Sequence, residues 1–337
     1  MIWMWIGFIT LILMLLALDL GVFHRKAHAV SIKEALIWSV VWITTAMIFN
    51  IFIYFAYEHH WQGLGLMPSL MHPTGLAGHS AAVLFFTGYV IEKSLSVDNL
   101  FVIALIFGYF RIPSTYQHRV LFWGIVGALM MRGGMIWLGT MLIERFHWIL
   151  YVFGVFLILT AFKMLFGDSE PDPKKNVLMK LAAKVFPISH ELDGQRFLSR
   201  IDGRLMLTPL ATTLIVVEST DVVFAVDSIP AIFAITTDPF LVFTSNVFAI
   251  LGLRALYFAL AGILDKFHYL KLSLAVVLAL VGVKMLAANW LKRNDWLRDH
   301  MSFVTLGLVA VILAAGIIAS IIRARRMPLE PDDAPAT

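Results

Sequence analysis

The chain has 337 residues, of which 60% are hydrophobic and only 14% are charged, and it carries a formal net charge of +4. Together with a mean hydropathy of +0.85, this composition excludes an ordinary water-soluble domain and predicts a protein embedded in a lipid bilayer. The absence of cysteine excludes disulfides, thiolate metal sites and thiol redox chemistry. In a membrane protein, an excess of basic residues usually sets the orientation in the bilayer, so nucleic-acid binding is not expected.

Apolar runs of about twenty residues recur along the chain, and each is long enough to cross about 30 Å of hydrocarbon. The first begins at Ile2 without a basic leader or an Ala-x-Ala cleavage pattern, so we interpret it as a retained helix and not as a signal peptide. We predict an all-α polytopic membrane protein with about nine transmembrane helices, at residues 2–23, 36–57, 81–110, 119–143, 147–166, 208–234, 241–263, 268–290 and 302–322.

Basic residues are distributed unequally between the two sides that nine spans would define. One side holds most of them, namely Arg25, Lys26, Lys33, Arg111, Arg119, the basic residues from Lys174 to Arg204, Lys266, Lys271, Arg323, Arg325 and Arg326. The positive-inside rule therefore predicts an N-terminus outside the cell and a cytoplasmic C-terminus.

Two parts of the chain resemble each other, on either side of the charged segment from Gly167 to Arg204. Each has an arginine, then an acid followed by a basic residue, Phe and His, and then Lys-Met-Leu, at Arg132, Glu144–His147 and Lys163–Leu165 in the first and at Arg254, Asp265–His268 and Lys284–Leu286 in the second. Each part contains three spans, so the second must be inverted. Inverted repeats are typical of secondary transporters, whose substrate binds near the bilayer midplane.

These patterns divide the chain into five parts. Two N-terminal transmembrane helices and an outer loop occupy residues 1–80, and the first three-helix repeat occupies 81–166. A cytoplasmic loop at 167–207 leads to the second, inverted three-helix repeat at 208–290, and a final helix with a cytoplasmic tail occupies 291–337.

The first helix of each predicted repeat carries carboxylates in an otherwise apolar sequence. Glu92 and Asp98 of the first repeat align with Asp221 and Asp227 of the second, and Glu218 is an additional acid one turn before Asp221. A charged group at the centre of a membrane helix costs at least about 2.5 to 3.5 kcal/mol. Five such residues therefore indicate an ion pathway, and we predict that they ligate a metal ion.

Helix geometry complicates this site, because a spacing of six residues places two side chains about 120° apart. Pro230 removes a backbone donor just after Asp227, so we expect each helix to unwind between its acids and to expose carbonyl ligands. Further oxygen ligands are predicted at Ser94, Asn99 and Ser228. Lys93, Arg132 and Arg254 are predicted either to compensate the acidic charge or to form structural ion pairs.

Oxygen ligands without sulfur suit magnesium, calcium or manganese. Five clustered carboxylates cannot all remain ionised without a bound cation, so protons are expected to leave as metal enters. The residues therefore predict a transported divalent cation, protons as the counter-ion and no permanent cofactor.

A sodium or calcium exchanger remains an alternative. So does a non-transporting membrane subunit of a stress or secretion complex, whose protein partners the sequence does not identify. No arrangement typical of an enzyme is present.

Two motifs, the segment from Glu92 to Asn99 and the segment from Asp221 to Ala231, strongly resemble the TerC family of bacterial membrane proteins, and within it the Alx branch. The stretches Thr236–Phe240, Thr244–Asn246 and Ile250–Ala255 are similar to that branch as well. The resemblance implies a LysE-superfamily-like fold in the bacterial cytoplasmic (inner) membrane and manganese export. It also implies that the five acids carry the transported metal.

Overall fold

A computed structural model describes residues 2–21, 31–66, 75–146, 148–166, 187–189, 191–201, 204–260, 269–287, 290 and 295–326. Its helices are α1 (Ile2–Gly21), α2 (Ile32–Glu58), a 3-10 turn (Trp61–Gly63), α3 (Gly78–Tyr109), α4 (Ser114–Arg145), α5 (Ile149–Phe166), α6 (Pro209–Phe233), α7 (Pro239–Leu251), α8 (Leu253–Leu260), α9 (Leu270–Leu286) and α10 (Asp295–Arg326). Most of the predicted cytoplasmic loop, the predicted tail and the motif Asp265–His268 lie outside the described residues.

The helix starts follow local sequence signals. Ser31 caps α2 by accepting a hydrogen bond from the backbone N–H of Glu34, and Thr208 caps α6 just before Pro209. Asp238 accepts hydrogen bonds from the backbone N–H groups of Phe240 and Leu241 at the start of α7. Each cap satisfies backbone donors that have no partner in the first helical turn.

The prediction of an all-α membrane protein is confirmed. Among the described residues, seven helices are long and apolar enough to cross a membrane: α1, α2, α4, α5, α6, the pair α7 and α8 taken together, and α10. Of the two other predicted spans, one corresponds to α3, which carries three charged residues, and the other to α9, which has 17 residues. The total of nine therefore stays a prediction.

One small antiparallel pair of strands lies in the predicted loop between the repeats. Strand β1 (Leu198–Ile201) pairs with β2 (Arg204–Leu207), with Leu198 opposite Leu207. Arg119, near the start of α4, donates a hydrogen bond to Gln195 at 3.3 Å and lies 5.2 Å from the centre of the Phe197 ring. These contacts attach the loop to the beginning of α4.

A phenylalanine cluster joins the N-terminal helices to the predicted repeats. The ring of Phe49 on α2 lies 4.6 Å from that of Phe248 on α7, 5.6 Å from that of Phe85 on α3 and 5.3 Å from that of Phe8 on α1. All four side chains are buried. Offset and tilted ring pairs at these distances stabilise the packing beyond simple burial of area.

Helices α3 and α7 run in the same direction. A methyl group on Gly88 of α3 would lie 2.9 Å from the hydroxyl of Ser245 on α7. Five residues later, Lys93 donates a hydrogen bond at 3.0 Å to the carbonyl oxygen of Ala249, four residues beyond Ser245. Residue numbers therefore increase in the same direction along both helices at this interface.

Helices α4 and α6 also run in the same direction, because Gly124 packs on Val217 near their beginnings and Gly139 packs on Phe233 near their ends. Consecutive spans α3 and α4 run in opposite directions, so α6 runs opposite to α3. This is the relation expected between the first helices of two inverted triplets. The duplication itself stays a prediction.

Helices α5 and α9 pack closely through two glycines. A Cβ on Gly282 would lie 2.8 Å from the carbonyl oxygen of Gly154 and 3.2 Å from the Cβ of Leu157. A Cβ on Gly154 would meet Leu286 at 3.0 Å. Small residues let transmembrane helix backbones approach in this way, and the contacts show that the two helices are antiparallel.

The prediction that α3 and α6 unwind between their acids is wrong, because both are continuous helices and α6 passes through Pro230. The hydroxyls of Ser94, Ser219 and Thr220 donate to carbonyl oxygens of the preceding turn within intact helix. A helix is interrupted elsewhere, at Gly252, which separates α7 from α8.

We expect Gly282→Ala to destabilise the protein by about 1 to 3 kcal/mol, the usual cost of overpacking a tight interface. The matched control is Gly134→Ala, because a Cβ on this α4 glycine meets no atom within 4 Å and alanine favours a helix by about 0.5 to 1 kcal/mol over glycine. The thermal unfolding midpoint of the detergent-solubilised proteins measures both changes. Equal midpoints for the two variants would contradict the close packing of α5 on α9.

Candidate ion-binding site

Arg132 on α4 lies at the centre of the buried charged groups. Its Nη1 donates to Glu92 of α3, and its Nη2 and Nε donate to the two carboxylate oxygens of Asp221 on α6, at 3.0 and 3.2 Å. The same Nη1 lies 3.3 Å from the hydroxyl of Ser228. The rigid fork of the guanidinium thus joins three helices.

Burial makes these ion pairs energetically important. The side chains of Arg132 and Glu92 are 1% and 0% exposed, and that of Asp221 is 16% exposed. A buried ion pair adds little net stability, but a charge left there without its partner is costly. Glu92 and Asp221 are the two acids that the comparison of the predicted repeats aligned, so one arginine is paired with the equivalent carboxylate of each predicted repeat.

Glu218 lies one turn before Asp221 and packs against the backbone of α4. A Cβ on Gly127 would lie only about 2 Å from the carboxylate oxygens of Glu218, so glycine is required at this position for the carboxylate to approach. The Oε2 atom of Glu218 is buried without a hydrogen-bond partner among the described residues, and so is Oε2 of Glu92.

Of the other two acids, the structure describes the surroundings of Asp227 only. Asp227 accepts a hydrogen bond from the hydroxyl of Thr160 on α5 at 3.1 Å, and Lys163 of the same helix exerts a Coulombic attraction on it. Asp98 belongs to α3, but its side chain lies outside the described part of the structure.

The predicted additional ligands differ in their surroundings. Ser228 is buried beside Arg132. Ser94 donates to the carbonyl oxygen of Val90 at 2.7 Å, within its own helix. Asn99 is buried, with 6% exposed.

Lys93 and Arg254 are not placed at the acids around Arg132. The Lys93 ammonium donates to the carbonyl of Ala249 at the end of α7, where the break at Gly252 leaves helix carbonyls without their usual donors. Arg254 on α8 forms a buried ion pair with Asp19 on α1. Asp19 is 7% exposed, so this carboxylate near a helix end is held by a protein partner and is not simply solvated.

Within the described ranges, no three His, Cys, Asp or Glu side chains are grouped so that they could hold a metal ion. The structure brings Glu92, Asp221 and Ser228 together around Arg132, with Glu218 one turn before Asp221 on α6, and it places Asp227 against α5. Sequence reasoning did not select Thr160 or the buried Asn246 as site residues. Thr160 is an isolated polar residue in an apolar span, and Asn246 ends the stretch Thr244–Asn246 that resembles the Alx branch.

The fold and this site define a polytopic helical membrane protein with charged groups buried between its helices. The model of the integral membrane protein TerC family matches residues 77–327, which is most of the chain, and the chain belongs to this family.

Curated relatives support the assignment. An uncharacterised membrane protein of Myxococcus xanthus is 47% identical over 333 residues, covering 98% of this chain and 96% of its own. A protein of Escherichia coli with the provisional name membrane-bound redox modulator Alx is 45% identical over 290 residues, covering 85% of this chain and 86% of its own. No solved structure matches the chain.

Replacing Arg132 tests the energetics of the site. Arg132→Met leaves the carboxylates of Glu92 and Asp221 buried without their cation, and we expect a loss of about 3 to 5 kcal/mol. The triple variant with Glu92→Gln and Asp221→Asn removes both charges and should recover part of the lost stability.

The thermal unfolding midpoint in detergent measures this effect. Arg145→Met is the control, because Arg145 is an exposed arginine at the C-terminal end of the same helix. A triple variant no more stable than Arg132→Met alone would show that Arg132 does not act by neutralising these two acids.

Proposed function

We propose that the protein exports a divalent metal ion, Mn²⁺, from the cytoplasm across the bacterial cytoplasmic membrane. The transported ion passes through the carboxylates between α3, α4 and α6, and protons move in the opposite direction. In this proposal the N-terminus lies outside the cell and the C-terminus in the cytoplasm, as the distribution of basic residues predicts.

The observation that carries the proposal is the position of Arg132 between Glu92 and Asp221. Carboxylates from two different helices converge on one cationic group, away from bulk water. A divalent cation that reaches this point can form the same contacts with the carboxylates as the guanidinium does. Intramembrane charges of this kind mark ion pathways in transport proteins.

The arrangement of helices supports a transporter as well. The first helices of the two predicted repeats run in opposite directions, and their aligned acids Glu92 and Asp221 meet at Arg132. Inverted repeats place substrate sites at the interface between repeats. The site thus lies where such a transporter would bind its substrate.

Proton exchange is supported by the carboxylate oxygens that have no hydrogen-bond donor. Oε2 of Glu92 and Oε2 of Glu218 are buried and have no partner among the described residues. A protonated carboxyl group occupies such a position at lower cost than a carboxylate does. Glu92 is paired with Arg132, so in this proposal the proton is carried by Glu218, which releases it when a cation arrives and takes it up again after the cation departs.

The selection of manganese and the export direction are supported by the resemblance of the acidic motifs to the TerC family. The ligands available at the site are carboxylate and hydroxyl oxygens, which suit Mn²⁺, Mg²⁺ and Ca²⁺ alike. The name of the Escherichia coli relative refers to redox modulation, whereas this chain contains no cysteine that could carry thiol chemistry.

The test measures the manganese content of cells that lack their own manganese exporters. We expect the unaltered protein to lower internal manganese, and we expect Glu92→Gln, Asp98→Asn and Asp227→Asn, each expressed at the same level, to abolish the effect. These variants keep the size of each side chain and remove only its charge.

Glu191→Gln is the matched control, since Glu191 is an exposed acid in the loop before α6, and it should export as the unaltered protein does. If the unaltered protein leaves manganese unchanged but lowers calcium or sodium, the site transports another hard cation. If it changes none of these ions, the protein is not an exporter of them and a subunit role replaces the proposal.

A further inference from the structure

Asn246 on α7 is a buried amide whose hydrogen-bonding atoms find no partner among the described residues. Its side chain is 1% exposed, and neither Oδ1 nor Nδ2 has a partner within the described part of the chain. An unpaired amide in an apolar interior costs about 1 to 3 kcal/mol by mutational measures. The residue is therefore unfavourable for stability, which indicates a functional reason for a polar group at this position.

The neighbouring polar residues of α7 show that the helix could satisfy such groups itself. Thr244 and Ser245 are equally buried, and each donates its hydroxyl to a carbonyl oxygen of the preceding turn at 2.7 Å. Asn246 forms no such bond, so its amide remains available to a ligand.

The contacts of its neighbours show which way Asn246 faces. Ser245 contacts α3 at Gly88, and Phe243 contacts α4 at Gly133, the residue after Arg132. On a helix with about 100° per residue, Asn246 lies between these two directions, about 100° from Ser245 and 60° from Phe243. It therefore faces the cleft between α3 and α4, in which Arg132 binds Glu92.

The height of Asn246 along the axis of α7 is also close to that of the Glu92 carboxylate on α3. On α3, Glu92 lies one turn beyond Gly88, which is level with Ser245, and the side chain of the next residue, Lys93, reaches the carbonyl oxygen of Ala249. Because helical side chains tilt toward the N-terminus of their helix, the carboxylate of Glu92 is displaced toward the level of Asn246. Ser96, one turn beyond Glu92, is also buried and its hydroxyl also has no partner among the described residues.

We infer that Asn246 supplies a neutral oxygen ligand to the transported cation at Glu92, an inference that rests on the proposed function. Six to eight oxygen ligands surround Ca²⁺, and six surround Mg²⁺. The described residues do not group three acids at one point, so neutral oxygens must complete the shell. An amide oxygen adds a hard ligand without adding charge.

The test combines metal binding with stability in the purified, detergent-solubilised protein. Asn246→Leu keeps the approximate size of the side chain and removes the amide. We expect Mn²⁺ to bind at least about tenfold more weakly, since even indirect metal contacts contribute this much. We also expect an unchanged or higher thermal unfolding midpoint, because the variant no longer buries an unpaired amide.

Thr244→Val is the matched control, because it removes a neighbouring buried polar group that has a partner within its own helix, and it should bind Mn²⁺ as the unaltered protein does. A lower unfolding midpoint with unchanged Mn²⁺ binding in Asn246→Leu would show that Asn246 is structural and would overturn the inference. If the unaltered protein binds no Mn²⁺ at all, the proposed function fails and this inference fails with it. If the unaltered protein and Asn246→Leu bind Mn²⁺ equally, only the assignment of Asn246 fails.

Discussion

The ion pairs of Arg132 are the interaction on which the rest of the site depends. A guanidinium that is 1% exposed contacts Glu92 on α3 and Asp221 on α6 from its own position on α4. Three long helices must therefore keep their register within hydrogen-bonding distance of one group. Glu218, one turn before Asp221, lies so close to α4 that a Cβ on Gly127 would overlap its carboxylate.

The two predicted repeats differ in the partners of their matched arginines. Arg132 binds acids of the central helices, whereas Arg254 binds Asp19 of α1, which belongs to neither repeat. The first arginine thus lies where a cation could bind, and the second attaches an N-terminal helix to the break between α7 and α8. A sequence duplication need not imply that its matched residues have the same role once other helices pack against one copy.

Unsatisfied polar atoms separate groups available to a ligand from groups that only hold the structure together. Most hydroxyls of the helices donate to carbonyls of their own helix, as Thr244 and Ser94 do. Oε2 of Glu92, Oε2 of Glu218, the hydroxyl of Ser96 and the amide of Asn246 are buried without partners among the described residues. Because each of these groups costs stability in the folded protein, they are the groups most open to binding a ligand.

The sequence by itself determined the membrane class and most helix positions, because hydropathy and helix length are local properties. It did not determine which acids meet. The expected unwinding at Pro230 did not occur, Asp227 faced Thr160, and Arg254 paired with Asp19. Only the packing of helices decided these contacts and revealed the unpaired amide of Asn246, because a side chain's partner depends on the rotation and direction of neighbouring helices, which a single chain's pattern does not contain.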